Sequence, residues 1–186
     1  MQKHLALITA FTALSSLPVA AHEVEPKTYG WVEFAEILPW GIKVKVKLDS
    51  GALTSSMQAE DIETFERGDE NWVRFTLEVE DEASDDVISR TVERPVHRDF
   101  NATGAGGEDY RKVVLMKVCI GTTIYEEQFS LEDRDDMIYP VLLGRRTIQT
   151  LGDIDVTKTF VNEPECGKSA PVSLYRDKHN DEDIGI

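Results

Sequence analysis

From Ile42 to Leu48 the chain reads Ile-Lys-Val-Lys-Val-Lys-Leu, with an apolar residue at each even position and a lysine at each odd one. Alternation this regular, with β-branched side chains at three of the four apolar places, predicts a strand buried on one face. On a helix the same residues would scatter around the axis and leave no face to bury. The strand runs directly into Asp49-Ser50-Gly51-Ala52. A strand that delivers an aspartate into a Ser-Gly turn presents a carboxylate at the floor of a cleft. Taken alone, the tripeptide also fits an ordinary β-turn.

The rest of the chain carries the same punctuation. Trp72 to Val79 alternates after the turn-prone Arg67-Gly68-Asp69, and the acidic stretch Glu80 to Asp86 reads as a hairpin tip with Val87 to Val92 returning. Asn101 to Gly107 is rich in small residues, and glycines at 104, 106 and 107 imply a backbone that bends or approaches something closely. Val113 to Ile120 and Thr122 to Leu131 read as strands on either side of Gly121. Tyr139 to Leu143 is a short apolar strand ending at Gly144, and Arg145 to Leu151 fits one or two helical turns. The class is therefore all-β with one short helix near the C-terminal end of the domain.

Both ends are set apart. Lys3 and His4 lead into the apolar run Leu5 to Leu17, followed by Pro18-Val19-Ala20-Ala21. This is the pattern of a secretory signal peptide over residues 1–21, with Val19 and Ala21 suiting cleavage before His22. The run of roughly 13 residues falls short of the ~20 that a membrane span needs. The expectation is a periplasmic or secreted protein with no stable membrane insertion after cleavage. Beyond Glu163 the periodicity is lost, and Pro164, Gly167, Pro171 and the acidic run Asn180 to Asp183 predict a disordered acidic tail over 164–186. That leaves residues 22–163 as one domain.

Twenty Lys and Arg stand against 35 Asp and Glu, a net charge of −15 that becomes −16 when Lys3 leaves with the leader. Such a chain is a poor partner for nucleic acid. Cys119 and Cys166 are the only cysteines. An oxidising compartment permits a bond between them, while the apolar run around Cys119 equally fits a buried free thiol. Neither cysteines nor histidines have the spacing of a zinc site, so no metal or other cofactor is expected.

The segment Ile42 to Ala52 resembles the strand and active-site loop of retropepsins. Tyr139-Pro140-Val141-Leu142-Leu143-Gly144-Arg145-Arg146 is similar to the hydrophobic-hydrophobic-Gly-Arg segment that packs behind the catalytic loop in that fold. Between them, Gly104-Ala105-Gly106-Gly107 stands where retropepsins carry a glycine-rich flap tip followed by a strand. A closer resemblance is to a bacterial retropepsin-like family labelled ATP-dependent zinc proteases and often associated with ATP-grasp glutamate ligases. The shared pattern includes Lys47 to Ser56, Ala59-Glu60-Asp61, Trp72 to Phe75, Arg111 to Val114 and Leu142 to Arg145, and covers about Trp31 to Val156. The residues do not support the label, since the chain has no His-Glu-x-x-His and no Gly-x4-Gly-Lys-Ser/Thr loop.

The resemblance implies a retropepsin-like acid-protease half-barrel and an aspartic endopeptidase acting on protein or peptide substrates. Asp49 is the implied catalytic residue, Ser50, Gly51 and Ala52 support its loop, Gly104 to Gly107 are the flap candidate, and Leu142, Leu143, Gly144 and Arg145 form the structural segment behind the site. Peptide hydrolysis needs a base for water and an acid for the carbonyl, and two carboxylates sharing a proton do both. The chain offers one Asp-Ser-Gly loop, so a homodimer is expected to complete the site. The viral enzymes usually place an acidic residue just after the catalytic turn to pair with the arginine of the later segment. Leu53, Thr54 and Ser55 stand there instead. That departure keeps a second reading in view, a catalytically inactive peptide-binding or regulatory module of the cell envelope.

Overall fold

The computed structural model describes residues 27–104 and 107–177. The predicted leader over 1–21 lies outside the described residues. Twelve strands run in chain order as β1 (Thr28–Leu38), β2 (Ile42–Leu48), β3 (Ser55–Gln58), β4 (Glu60–Arg67), β5 (Glu70–Asp81), β6 (Asp86–Pro95), β7 (Arg98–Gly104), β8 (Gly107–Ile120), β9 (Thr123–Glu132), β10 (Val141–Leu143), β11 (Asp153–Thr159) and β12 (Val172–Ser173). The one α-helix among the described residues, α1, is Arg145–Leu151. The retropepsin-like all-β reading, with a single short helix, is borne out. Among the described residues no helix is long and apolar enough to cross a membrane.

The larger sheet closes on itself. Its strands follow the order β1, β2, β10, β3, β9, β8, and the far end of β1 pairs back to β8 through Glu36, Ile37 and Leu38. Closure removes two sheet edges that would otherwise be open to other chains. Outside the ring, β11 lies parallel to β1, β7 folds back on β8, and β12 lies parallel to β9. A second sheet, β4-β5-β6, lies against the barrel.

Alternation set the packing as the sequence implies. Ile42, Val44, Val46 and Leu48 of β2 point into the core, and so do Val73, Phe75, Leu77 and Val79 of β5. They belong to one apolar cluster with Val114, Met116, Val118 and Ile120 of β8. Burying four such side chains contributes roughly 6–12 kcal/mol by area bookkeeping, an upper estimate. This is enough to dock the second sheet firmly on the barrel. The tip of the β5–β6 hairpin is also tied down, because Lys43 N–H donates to Asp81 Oδ1 at 3.0 Å and Lys45 pairs with Glu82 at 2.8 Å. The acidic tip therefore fastens the hairpin to β2 and does not line the principal cleft.

The tail is a correction to the sequence reading. The chain stays on the barrel from Pro164 to Asp177. Cys166 is bonded to Cys119 of β8, Glu165 N–H donates to Gly121 O at 2.7 Å, and Val172 and Ser173 pair with Ile124 and Tyr125. A covalent tie and a two-residue ladder hold a segment whose composition lacks the periodicity of a strand. Residues 178–186 lie outside the described residues.

Candidate active site

β10 inserts between β2 and β3 and makes the platform for the Asp49 loop. It runs parallel to β2 with Val141 opposite Val46 and Leu143 opposite Leu48, and antiparallel to β3 with Val141 opposite Met57. The ladder continues one step past the strand, where Asp49 N–H donates to Leu143 O at 2.8 Å. The loop then turns on itself. Gly51 N–H donates to Asp49 Oδ1 at 2.9 Å, and Ala52 N–H donates to Asp49 O at 3.2 Å. A Cβ at position 51 would sit 3.0 Å from Asp49 Oδ1, so glycine lets the carboxylate and the backbone approach closely.

The segment predicted to lie behind the loop does so. Leu142 and Leu143 form β10, and Gly144 begins the turn into α1. A Cβ on Gly144 would stand 2.7 Å from Thr54 C and 2.8 Å from Leu53 O, distances that no real side chain tolerates. Gly144→Ala should accordingly cost about 1–3 kcal/mol through overpacking. A lower urea midpoint at unchanged m would show it, and an unchanged midpoint would contradict this packing account. Arg145 N–H donates to Ala52 O at 2.9 Å, and its guanidinium donates to Ser50 O at 2.8 Å. The arginine thus braces the outer turn of the loop through backbone carbonyls. The acidic partner absent from positions 53–55 is not needed for that contact.

A buried polar network behind the loop escapes any sequence reading. All four residues of β3, Ser55 to Gln58, are buried although three are polar. Ser55 Oγ shares a 2.7 Å hydrogen bond with Thr147 Oγ1 and accepts Gly144 N–H at 3.0 Å. Arg134, 6% exposed, donates to Ser56 Oγ at 2.8 Å, to Tyr139 O at 3.0 Å and to Glu132 Oε2 at 3.0 Å. Its backbone N–H donates to Gln58 Oε1. Each polar group is thereby answered inside the fold, which removes the penalty that would otherwise forbid such a strand. A hydrophobicity pattern detects none of this.

Asp49 is partly exposed and carries one direct ion pair, to Lys47 Nζ at 3.0 Å from Oδ2. Partial burial pushes its carboxyl pKa up. The Lys47 ammonium and the Gly51 and Ala52 N–H groups outweigh that burial and hold the pKa below the ordinary aspartate value. Beside it opens a cleft of about 1150 Å³, lined by Lys47, Gly51 and Ala52 at one end and by Arg134, Met137 and Ile138 elsewhere. Phe100 and Asn101 of β7 and Arg111 of β8 also line it. The arms of the β7–β8 hairpin therefore wall the cleft next to the Asp49 loop. The two arms pair down to Gly104 opposite Gly107. Ala105 and Gly106 of the flap candidate lie outside the described residues.

Ser50 and Gly51 are exposed at the turn, and Ala52 is half-buried beneath it. At the foot of the hairpin Arg98 reaches the loop directly, donating to Thr54 Oγ1 at 3.1 Å and to Gln128 Oε1 at 2.6 Å. Sequence reasoning gave this arginine no role. Among the described residues no group of three or more His, Cys, Asp or Glu side chains is placed to hold a metal ion.

The sequence profile of the RimB-like family, described as the retropepsin-like aspartic endopeptidase RimB, matches residues 28–165. The chain belongs to the RimB-like family. The matched span runs from the first residue of β1 to the residue before Cys166, so it contains the whole ring and the Asp49 loop. Two curated relatives, each named "Probable alpha-L-glutamate ligase", come from Shewanella pealeana and Desulfotalea psychrophila. The first is 32% identical over 117 residues and the second 32% over 120, each match covering 63% of this chain and 25% of the relative. The chain thus spans about a quarter of the length of these curated relatives. A crystal structure of the Legionella pneumophila protein Lpg0085, described as of unknown function, is similar with a TM-score of 0.61 and 27% identity. That match covers 73% of this chain and 98% of the other. The region shared with this chain is therefore a small part of the curated relatives and nearly the whole of the solved chain.

Proposed function

We propose that the protein is an exported aspartic endopeptidase whose site is completed when two copies bring their Asp49 side chains together. The observation that carries this reading is the Asp49 loop. A carboxylate stands at the end of a core strand, beside a large cleft, on a turn braced from behind by β10, Gly144 and Arg145. Family membership supports the reaction class. The leader pattern supports export, and so does the Cys119–Cys166 bond, which persists in oxidising compartments.

In this mechanism the two carboxyl groups hold one proton. The ionised group takes a proton from water as the water oxygen attacks the scissile carbonyl carbon, and the other gives its proton to the carbonyl oxygen. Collapse of the tetrahedral intermediate re-forms the C=O bond, breaks the C–N bond and delivers a proton to the leaving nitrogen. The β7–β8 hairpin would close over the peptide and exclude water. Met137 and Ile138 give the cleft rim an apolar surface, while Lys47, Arg111 and Arg134 line it together with Glu132 and Asp136, so its wall carries both signs of charge.

The test is direct. An unstructured polypeptide incubated with the protein in H₂¹⁸O should yield fragments whose new carboxyl groups carry the label, and pepstatin should slow their appearance. Glutamate-rich peptides belong in the first panel, because the curated relatives are named for glutamate ligation. Intact peptides across the panel from acid to neutral pH would count against an endopeptidase.

A further inference from the structure

The basic face of β2 is fully partnered, and the partners differ in kind. Lys43 pairs with Glu163 at 2.7 Å and Lys45 with Glu82 at 2.8 Å. Both of those carboxylates belong to segments being fastened to the barrel, the post-β11 chain and the β5–β6 tip. Lys47 is the exception, since its ammonium rests on Asp49 Oδ2 at 3.0 Å and also lines the cleft. Residues two apart on an extended chain share a face, so a lysine at this place lies within reach of the carboxylate. We propose that Lys47 is a positioning residue of the proteolytic site, which aims the Asp49 carboxylate and sets the pH range in which a pair of them can share one proton. This inference rests on the endopeptidase reading given above.

The physical case is a count of charges around one group. From its own strand Asp49 meets Lys47. From its own turn it meets the Gly51 N–H, at 2.9 Å from Oδ1. From the β10–α1 side comes Arg145, directed at the Ser50 and Gly51 carbonyls. From the segment after β9 comes the more distant field of Arg134, itself paired to Glu132, and Arg111 of β8, on the wall of the same cleft, is paired to Glu132 at 2.5 Å. Among the described residues, Lys47 is the one charge in contact with the carboxylate. Two copies would bring two such ammonium groups to two carboxylates, which favours ionising both and weakens the shared-proton state at neutral pH. The single-proton state, and activity with it, is then confined to the acid side.

Neutralising the lysine should raise both apparent pKa values of the pair. Lys47 and Asp49 are 36% and 25% exposed, so screening limits the shift to about 1 unit, at the low end of the range for a contacting ion pair. The experiment compares kcat/KM against pH for wild type, Lys47→Met, Lys47→Gln, Lys47→Arg and Asp49→Asn as dimers of equal sedimentation coefficient. It also follows the Asp49 carboxyl titration in wild type and Lys47→Met by ¹³C NMR. Both limbs of the profile should move up by about 1 unit in Lys47→Met and Lys47→Gln and stay near wild type in Lys47→Arg. The NMR titration should move in the same direction. A uniform loss of activity with unmoved limbs, or an unmoved Asp49 titration, overturns the role of Lys47 while leaving the endopeptidase reading intact. Activity retained in Asp49→Asn overturns the endopeptidase reading itself.

Discussion

Asp49→Asn should lower peptide hydrolysis by at least about 10³-fold, the scale on which an acid–base pair contributes to such a reaction. Asparagine keeps an oxygen that can accept the Gly51 N–H, and it fits the same space at the end of β2. It cannot take a proton from water or share one with a partner. The fold should hardly notice, because the ion pair lost with Lys47 is partly exposed and contributes about 1 kcal/mol or less. The informative result is therefore a split: a urea midpoint near that of wild type with hydrolysis gone. Retained hydrolysis would remove Asp49 from the chemistry, and joint loss of activity and fold would mean that the carboxylate serves the loop and not the reaction.

Removal of the Cys119–Cys166 bond should produce the largest loss of stability of any change considered. The bond closes a stretch of 47 residues, and on the chain-entropy account a loop of that size contributes about 4 kcal/mol. Cys119 is fully buried on β8, so the clean variant is the double Cys119→Ala/Cys166→Ala, which avoids leaving a polar group inside. Its guanidinium midpoint should fall well below that of the oxidised parent, with coincident curves as the contrary result. The loss should be greatest in the tail. Glu165, Val172 and Ser173 reach the barrel through only a few backbone bonds, and amide exchange there should quicken before that of β2 or β8.

Much of this was legible in the sequence because its signals are periodic or steric. The limits of β2 and α1 match their sequence-predicted limits, since strict alternation marks the one and flanking glycines the other. The Asp49 loop and the Leu142 to Arg145 segment could be paired only through resemblance, yet the close approach at Gly144 shows why glycine stands there. Other parts left no periodic trace. β3 is buried and polar, and its environment depends on Arg134 and Thr147 from distant segments. β4 is almost wholly exposed, β7 ends in a run of small residues, and β11 lies at the edge. Glu33 is fully buried on β1, where it accepts the N–H groups of Gly30 at 2.6 Å and Asn162 at 3.0 Å. The tail's attachment depends on a cysteine pair whose joining spacing alone left open.

Mixing wild type with increasing amounts of Asp49→Asn tests most directly whether two chains build one site. After subunits exchange at constant total protein, only pairs of wild-type chains keep both carboxylates, so activity should fall as the square of the wild-type fraction. Activity falling in simple proportion to that fraction, with monomers seen by sedimentation, would mean that each chain works alone and would contradict the shared site.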